Sequence, residues 1–259
     1  MPKHRSVSQR GLYERCPYRY KLERLDKVWQ RPASWLSQGL GVHKAMEVWE
    51  QENREPGIED LVEIYREEYA RSIEEQAEET PNFAYWFGSG PYSGEVDVER
   101  RFGVGEAQLR SLVAYCEAHP EEKIWVTPDG DPAIELEFNV ELGGVAVKGF
   151  IDQVIETPGG LRVRDIKTGS KPGDTFQLAV YAEAMNIMHG VVIEHGDYFM
   201  GKTGKPTKPI PITAVDRETT HEAFKTLEEN IQAENFPPKP SRNNCAMCAV
   251  KTSCEFAVA

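Results

Sequence analysis

The stretch from Gly149 to Tyr181, GFIDQVIETPGGLRVRDIKTGSKPGDTFQLAVY, constrains this chain more than any other. Two β-type runs, Val145 to Glu156 and Leu161 to Lys167, flank Thr157-Pro158-Gly159-Gly160. A Pro/Gly cluster between apolar runs predicts a hairpin turn. If the turn is centred between Pro158 and Gly159, Asp152 lies directly opposite Asp165. Opposed residues share a face with Cβ atoms roughly 4.5–5.5 Å apart, where like charges destabilise the sheet. Lys167 lies two residues past Asp165 and points the same way. Leu161, Val163 and Phe150 share that face, so the carboxylates are expected to look toward a core. Two acids so placed require a cation, or one of them must hold a proton. Carboxylate oxygens suit Mg²⁺ or Mn²⁺, which lower the pKa of bound water and neutralise charge developing on a phosphate. A neighbouring lysine can orient the attacking water or stabilise the transition state.

Cysteine spacing gives a second constraint. Cys245-x2-Cys248-x5-Cys254 puts three thiols within ten residues, with Cys16 far upstream and Cys116 alone. An odd count clustered in this way does not resemble a disulfide framework and fits metal ligation. Four thiolates suit either tetrahedral Zn²⁺ or a [4Fe–4S] cluster. In both cases the site ties the C-terminal tail to the first helix. Cys116 reads as a buried thiol.

Net charge is −12, which by itself argues against nucleic-acid binding, but its distribution is uneven. Residues 1–31 carry Lys3, Arg5, Arg10, Arg15, Arg19, Lys21, Arg24, Lys27 and Arg31 against Glu14, Glu23 and Asp26, so this arm is basic and the body strongly acidic. Such an arm could grip phosphates or form a solvated helix face. No apolar run approaches the ~20 residues needed to cross a bilayer. The N-terminus has no apolar core of a signal peptide, so a cytoplasmic location is expected.

Periodicity and punctuation place the other elements. Ser6 or Ser8 caps a helix to about Tyr20, interrupted or restarted at Pro17. Ser34 or Ser37 caps a second helix to about Glu52, with Leu36, Leu40 and His43 on one stripe. A lone histidine on an apolar stripe reads first as core, although Gly39 and Gly41 allow close backbone approach there. Ile58 to Glu79 is an acidic amphipathic helix. Pro81 to Gly94 is an irregular loop whose Phe83, Tyr85, Trp86 and Phe87 either plug the core or stack on bases. A helix over Glu106–Ala118 precedes a half-buried strand, Ile134 to Val140. After the hairpin come a helix opened by Asp174 and running to about His189, a strand over Val191–Met200, a short strand over Pro209–Thr213, a helix over Arg217–Asn235 and an extended connector, Phe236 to Pro240. No internal repeat or domain boundary interrupts the chain. One domain is expected over residues 1–259, with a basic segment (1–36), a helical region (37–130), a catalytic sheet core (131–215) and a closing helix with a Cys-rich tail (216–259).

SVSQRGLYERCPYRYKL, GLGVHKAMEVWE, GFIDQV, RDIKTG, QLAVYAEAM and the terminal cysteines occur in one order. That order resembles RecB-like nucleases of the PD-(D/E)XK superfamily, and more narrowly their iron–sulfur exonucleases, including CRISPR-associated and AddB-type members. The resemblance implies an α/β fold, a mixed central β-sheet flanked by helices. It implies a Mg²⁺ or Mn²⁺ site formed by His43, Asp152, Asp165 and the Ile166 carbonyl, with Lys167 as the catalytic lysine. Gln177 and Tyr181 match a Gln-x3-Tyr motif that contacts the active site and the DNA. Cys16, Cys245, Cys248 and Cys254 match cluster ligands, with Zn²⁺ the alternative. The implied activity is exonucleolytic, on single-stranded DNA ends, in recombination, repair or phage DNA processing. A non-catalytic nucleic-acid adaptor and a restriction-type endonuclease are the competing readings. No G-x-x-x-x-G-K-[ST] loop is present, so unwinding would come from a helicase, recombination or CRISPR partner. Glu135 or Glu137 is a possible accessory acid, and the sequence does not choose between them.

Overall fold

Residues 4–258 are described in a computed structural model, and Lys3 of the basic arm lies outside them. β1 (Lys123–Ile124) and β2 (Ile134–Leu142) lie end to end along one edge of β3 (Val145–Thr157). β4 (Gly160–Lys167) pairs antiparallel with the other edge of β3. β5 (His195–Met200) runs parallel to β4, and β6 (Lys205–Pro206) and β7 (Ile210–Pro211) add short antiparallel pairings to β5. The hairpin register is the one its turn chemistry predicts. Thr157 faces Gly160 and Gln153 faces Arg164, and Gly160 takes φ +101°, a region open chiefly to glycine. One further step in this register sets Asp152 opposite Asp165.

α1 (Val7–Arg15) is capped by Ser6, and the chain restarts after Cys16 as α2 (Pro17–Tyr20), since Pro17 suits a first helical turn. α3 (Ser34–Gln51), α4 (Ile58–Glu79) and α5 (Gly94–Ala118) cover one face of the sheet, burying Trp49, Tyr65 and Leu109 with Ile166 and Phe199. α6 (Thr175–His189) and α7 (Ala214–Gln232) cover the other face, burying Leu178 and Phe224 with Val163 and Tyr198. α8 (Arg242–Ala246) begins the cysteine tail. The architecture is the mixed, helix-flanked sheet that the sequence predicts.

Several boundaries differ from expectation for identifiable reasons. α5 begins at Gly94 rather than Glu106, because Gly105 is an interior glycine and not a break. A Cβ there would sit 2.1 Å from the Tyr65 hydroxyl, so α4 and α5 can approach only if it is glycine. Gly41 does the same for α3, where a Cβ would lie 2.7 Å from the Tyr65 ring. α3 starts after Ala33, and Ser34 is instead buried with its hydroxyl donating to Asp97. α7 begins earlier than Arg217, capped by a reciprocal Thr213–Asp216 box. β5 begins at His195, after Gly190 ends α6 in a left-handed conformation. Trp86 and Phe87 are buried, so the aromatic loop plugs the core, with Tyr85 left exposed. Cys116 is buried as expected, and burial pushes its thiol up to about 12. Among the described residues no helix is long and apolar enough to cross a membrane.

Candidate metal and catalytic site

Three adjacent strands contribute one acid each to a single row. In β2–β3 the pairs Ile134–Gln153 and Leu136–Ile151 bracket Glu135 and Asp152, and in β3–β4 the pairing stops one step short of Asp152 and Asp165. Glu135 adopts φ +43° inside a strand, a left-handed conformation that costs about 1–3 kcal/mol for a non-glycine residue. Its carboxylate stands beside Asp152 and His43. Glu137 is exposed and pairs with Lys148, so of the two candidate acids only Glu135 joins the row. His43, Glu135 and Asp152 each offer a ligand atom within 4.8 Å of the others.

His43 reaches this row from α3. Its Nδ1 lies 3.1 Å from Glu135 Oε1 and 3.6 Å from Asp152 Oδ2, and its Nε2 lies 3.0 Å from the Ile166 carbonyl oxygen. Every partner is an acceptor, an arrangement that suits an imidazolium with both nitrogens donating. Burial opposes that charge, but Asp152 and Glu135 outweigh it and raise the group to about 9. The core-histidine reading therefore fails, and Leu36 and Leu40 on the same stripe are 57% and 53% exposed. Phe150, expected to face the core, is 48% exposed.

Asp152 and Asp165 are themselves buried. Burial pushes Asp152 up to about 7; His43 counters this, while Asp165 and Glu135 add to it. Burial also raises Asp165, against the pull of Lys167. The Ile166 amide donates to Asp152 Oδ2 at 2.7 Å. Lys167 Nζ lies 2.7 Å from buried Asp165 Oδ2, an ion pair that opposes the effect of burial without cancelling it. His43, Glu135 and Asp152, with the Ile166 carbonyl against His43 and Asp165 next in the row, offer a donor set that fits a hard divalent cation.

A ring of contacts holds the lysine. Lys167 Nζ donates to Gln177 Oε1 at 3.0 Å, Gln177 Nε2 donates to the Tyr181 hydroxyl at 2.8 Å, and Tyr181 donates to Asp165 Oδ1 at 3.4 Å. Burial keeps Tyr181 a phenol, well above its ordinary pKa. Behind the ring, Arg101 donates to Gln38 (3.0 Å), Gln38 to Gln108 (2.6 Å), and Gln108 to the carbonyl of Thr168 (3.0 Å), the residue after Lys167. Sequence reasoning missed Gln38 and Gln108, since isolated glutamines on helices carry no chemical signal.

The structure gathers Cys16, Cys245, Cys248 and Cys254 around one cavity, and none forms a disulfide. The tail is stitched to the N-terminal helices: the Lys239 amide donates to Cys16 Sγ (3.4 Å), Asn244 Nδ2 to the Arg15 carbonyl (3.1 Å) and the Arg31 amide to the Ala249 carbonyl (2.9 Å). A backbone hydrogen bond from Val258 holds Cys245 below the ordinary thiol range. Much of the basic arm is occupied internally. Arg5 pairs with Glu228, Arg10 lies 3.7 Å over Phe176, Arg19 pairs with Glu23 and Lys21 with Asp26, and Arg31 donates to the carbonyls of Tyr85 and Trp86. Arg15, Arg24 and Lys27 are exposed.

This chain is similar to two phage proteins. The Gene 69 protein of Mycobacterium phage D29 is 48% identical over 258 residues, 96% of each chain. The Gene 69 protein of Mycobacterium phage L5 is 47% identical over 277 residues, 96% of this chain and 95% of that one. A solved structure from Eubacterium rectale, provisionally described as an exonuclease, covers 92% of this chain and 84% of its own at 14% identity and a TM-score of 0.44, a likeness too distant to bear an argument. The family model described as the PD-(D/E)XK nuclease superfamily matches residues 4–255. With nearly the whole chain inside that match and an acid row leading into Asp165-x-Lys167, the protein belongs to the PD-(D/E)XK nuclease superfamily.

Proposed function

We propose that this protein is a Mg²⁺- or Mn²⁺-dependent DNA exonuclease of the RecB-like, iron–sulfur branch, acting on single-stranded ends in recombination, repair or phage DNA processing. The observation that carries this reading is the cluster His43–Glu135–Asp152, with Asp165 and its partner Lys167 next in the same row. His43, Glu135, Asp152, Asp165 and the Ile166 carbonyl would hold the cation. When bound, it would acidify water and neutralise charge on the phosphate. Asp165 and Gln177 hold the Lys167 ammonium beside the row, where it would orient water or meet negative charge developing on the phosphate. Tyr181 secures Asp165 from behind.

The cavity lined by four thiols supports a structural [4Fe–4S] cluster, with Zn²⁺ the alternative. A cluster would colour the protein brown, absorbing near roughly 400 nm. Stoichiometric zinc in colourless protein after anaerobic purification would select the alternative.

The activity is tested with end-labelled single-stranded DNA in Mn²⁺ and in EDTA. Wild type should degrade it from an end only with metal. Asp165→Ala and Lys167→Ala should each lose about 10²–10³-fold or more in kcat. Wild-type rates in both variants would refute the site. Binding without metal-dependent degradation would make the chain an adaptor, and discrete fragments from closed circular duplex would make it an endonuclease.

A further inference from the structure

Leu36 and Leu40 are more than half exposed, although they sit on the helix that delivers His43. Their spacing, 36, 40 and 43, sets all three on one face of α3. They line a single depression with Gly39, His43 and Glu135, a cavity of about 510 Å³ that meets the acid row at Glu135. Phe150 carries apolar exposure to the sheet side, since it lies two residues before Asp152 on β3 and projects from the same face.

The charges around this surface are unsuited to gripping phosphates, which requires available Lys or Arg. The cation in the lining, Lys44, lies 3.0 Å from Glu47, and Glu47, Glu68 and Glu135 add negative charge. A duplex would present two charged backbones here and keep its bases stacked inside. A single strand would present the weakly hydrated faces of its bases, which can cover exposed leucines whatever the sequence.

We infer that Leu36 and Leu40 form an apolar shelf that receives the unpaired nucleobase adjoining the phosphate at the acid row, and that this contact selects unpaired ends. The inference rests on reading the acid row as the cleavage site. It assigns strand selection to α3 rather than to the basic N-terminal arm.

The test compares an end-labelled oligothymidylate with the same strand carrying abasic nucleotides at its ends. Binding is followed by fluorescence anisotropy in Ca²⁺, and turnover in Mn²⁺. For wild type, base removal should weaken binding at least about fivefold, roughly what covering part of one or two leucine side chains contributes. Leu36→Ala/Leu40→Ala should bind both strands alike, at the weak level, with raised KM and unchanged kcat on the intact strand. Leu36→Met/Leu40→Met should restore the difference. Because both leucines are exposed, the alanine variant should keep the wild-type Tm. Wild-type affinity in the alanine variant, or an equal penalty for base removal in both proteins, would overturn the shelf. The binding difference is read without turnover, so a wild type that fails to cut would sink the nuclease reading while anisotropy still decides the shelf.

Discussion

β4 carries buried charge on both faces, and the two faces treat it differently. On one face Asp197 accepts from Arg164 Nε (2.7 Å) and Nη2 (2.9 Å) and from Arg162 Nη1 (2.9 Å), while Arg164 Nη1 reaches Glu122 at 2.7 Å. Two arginines meet two acids, and the forked geometry uses the available donors and lone pairs. On the other face Asp165 and Asp152 are also buried, Glu135 stands beside Asp152, and the three acids meet only His43 and Lys167 as cations. The same strand thus shows that this fold can neutralise interior charge. Where it leaves an acid excess, a cation from outside is expected to complete the balance.

The comparison fails first if the balanced face proves dispensable. Asp197→Ala should cost about 3–5 kcal/mol in denaturant unfolding, because it strands buried Arg164 with Glu122 alone. Asp165→Asn should do the opposite in metal-free protein, leaving stability unchanged or raising it by about 1 kcal/mol while abolishing cleavage, as expected of a site that trades stability for function. A loss of several kcal/mol on Asp165→Asn would make the two faces equivalent and remove the argument for a cation.

A pH series sharpens the same contrast. In metal-free protein Asp152 sits at about 7, far above an ordinary carboxylate, so the folded state holds a proton that the unfolded chain has released. Its contribution to stability therefore falls as pH rises from about 4 to about 7. His43, raised to about 9, stabilises fully below an ordinary histidine's pKa and loses that contribution as pH climbs through about 9. Both groups make the metal-free protein less stable toward high pH, and a cation must displace the same protons. The Tm increment given by Mn²⁺ should grow from pH 6 to pH 9, and a flat increment would place the metal elsewhere. The smallest effect concerns Gln108. Gln108→Leu should lower kcat several-fold with KM and single-strand affinity unchanged, since it frees the Thr168 carbonyl without touching the shelf. A change in KM alone would show that the glutamine chain serves binding instead.

The hairpin was legible because turn chemistry and a two-residue period jointly fix its register, and with it the opposition of Asp152 and Asp165. The cysteine tail was legible from spacing. The choice of Glu135 over Glu137 was not, because it comes with a left-handed backbone that no residue type announces. The stripe of Leu36, Leu40 and His43 was misread because periodicity reports that residues share a face, not whether that face meets a core or an open cleft. The start of α5 was hidden by Gly105, whose lost helix propensity is offset by contact with Tyr65.

The ring through Lys167, Gln177, Tyr181 and Asp165 has a genetic consequence. Because each member is aligned by its neighbours, damage at one position leaves the next little to lose, and substitutions within the ring will not add. A descendant lineage can keep all four residues or relinquish them together, but has scant reason to retain three.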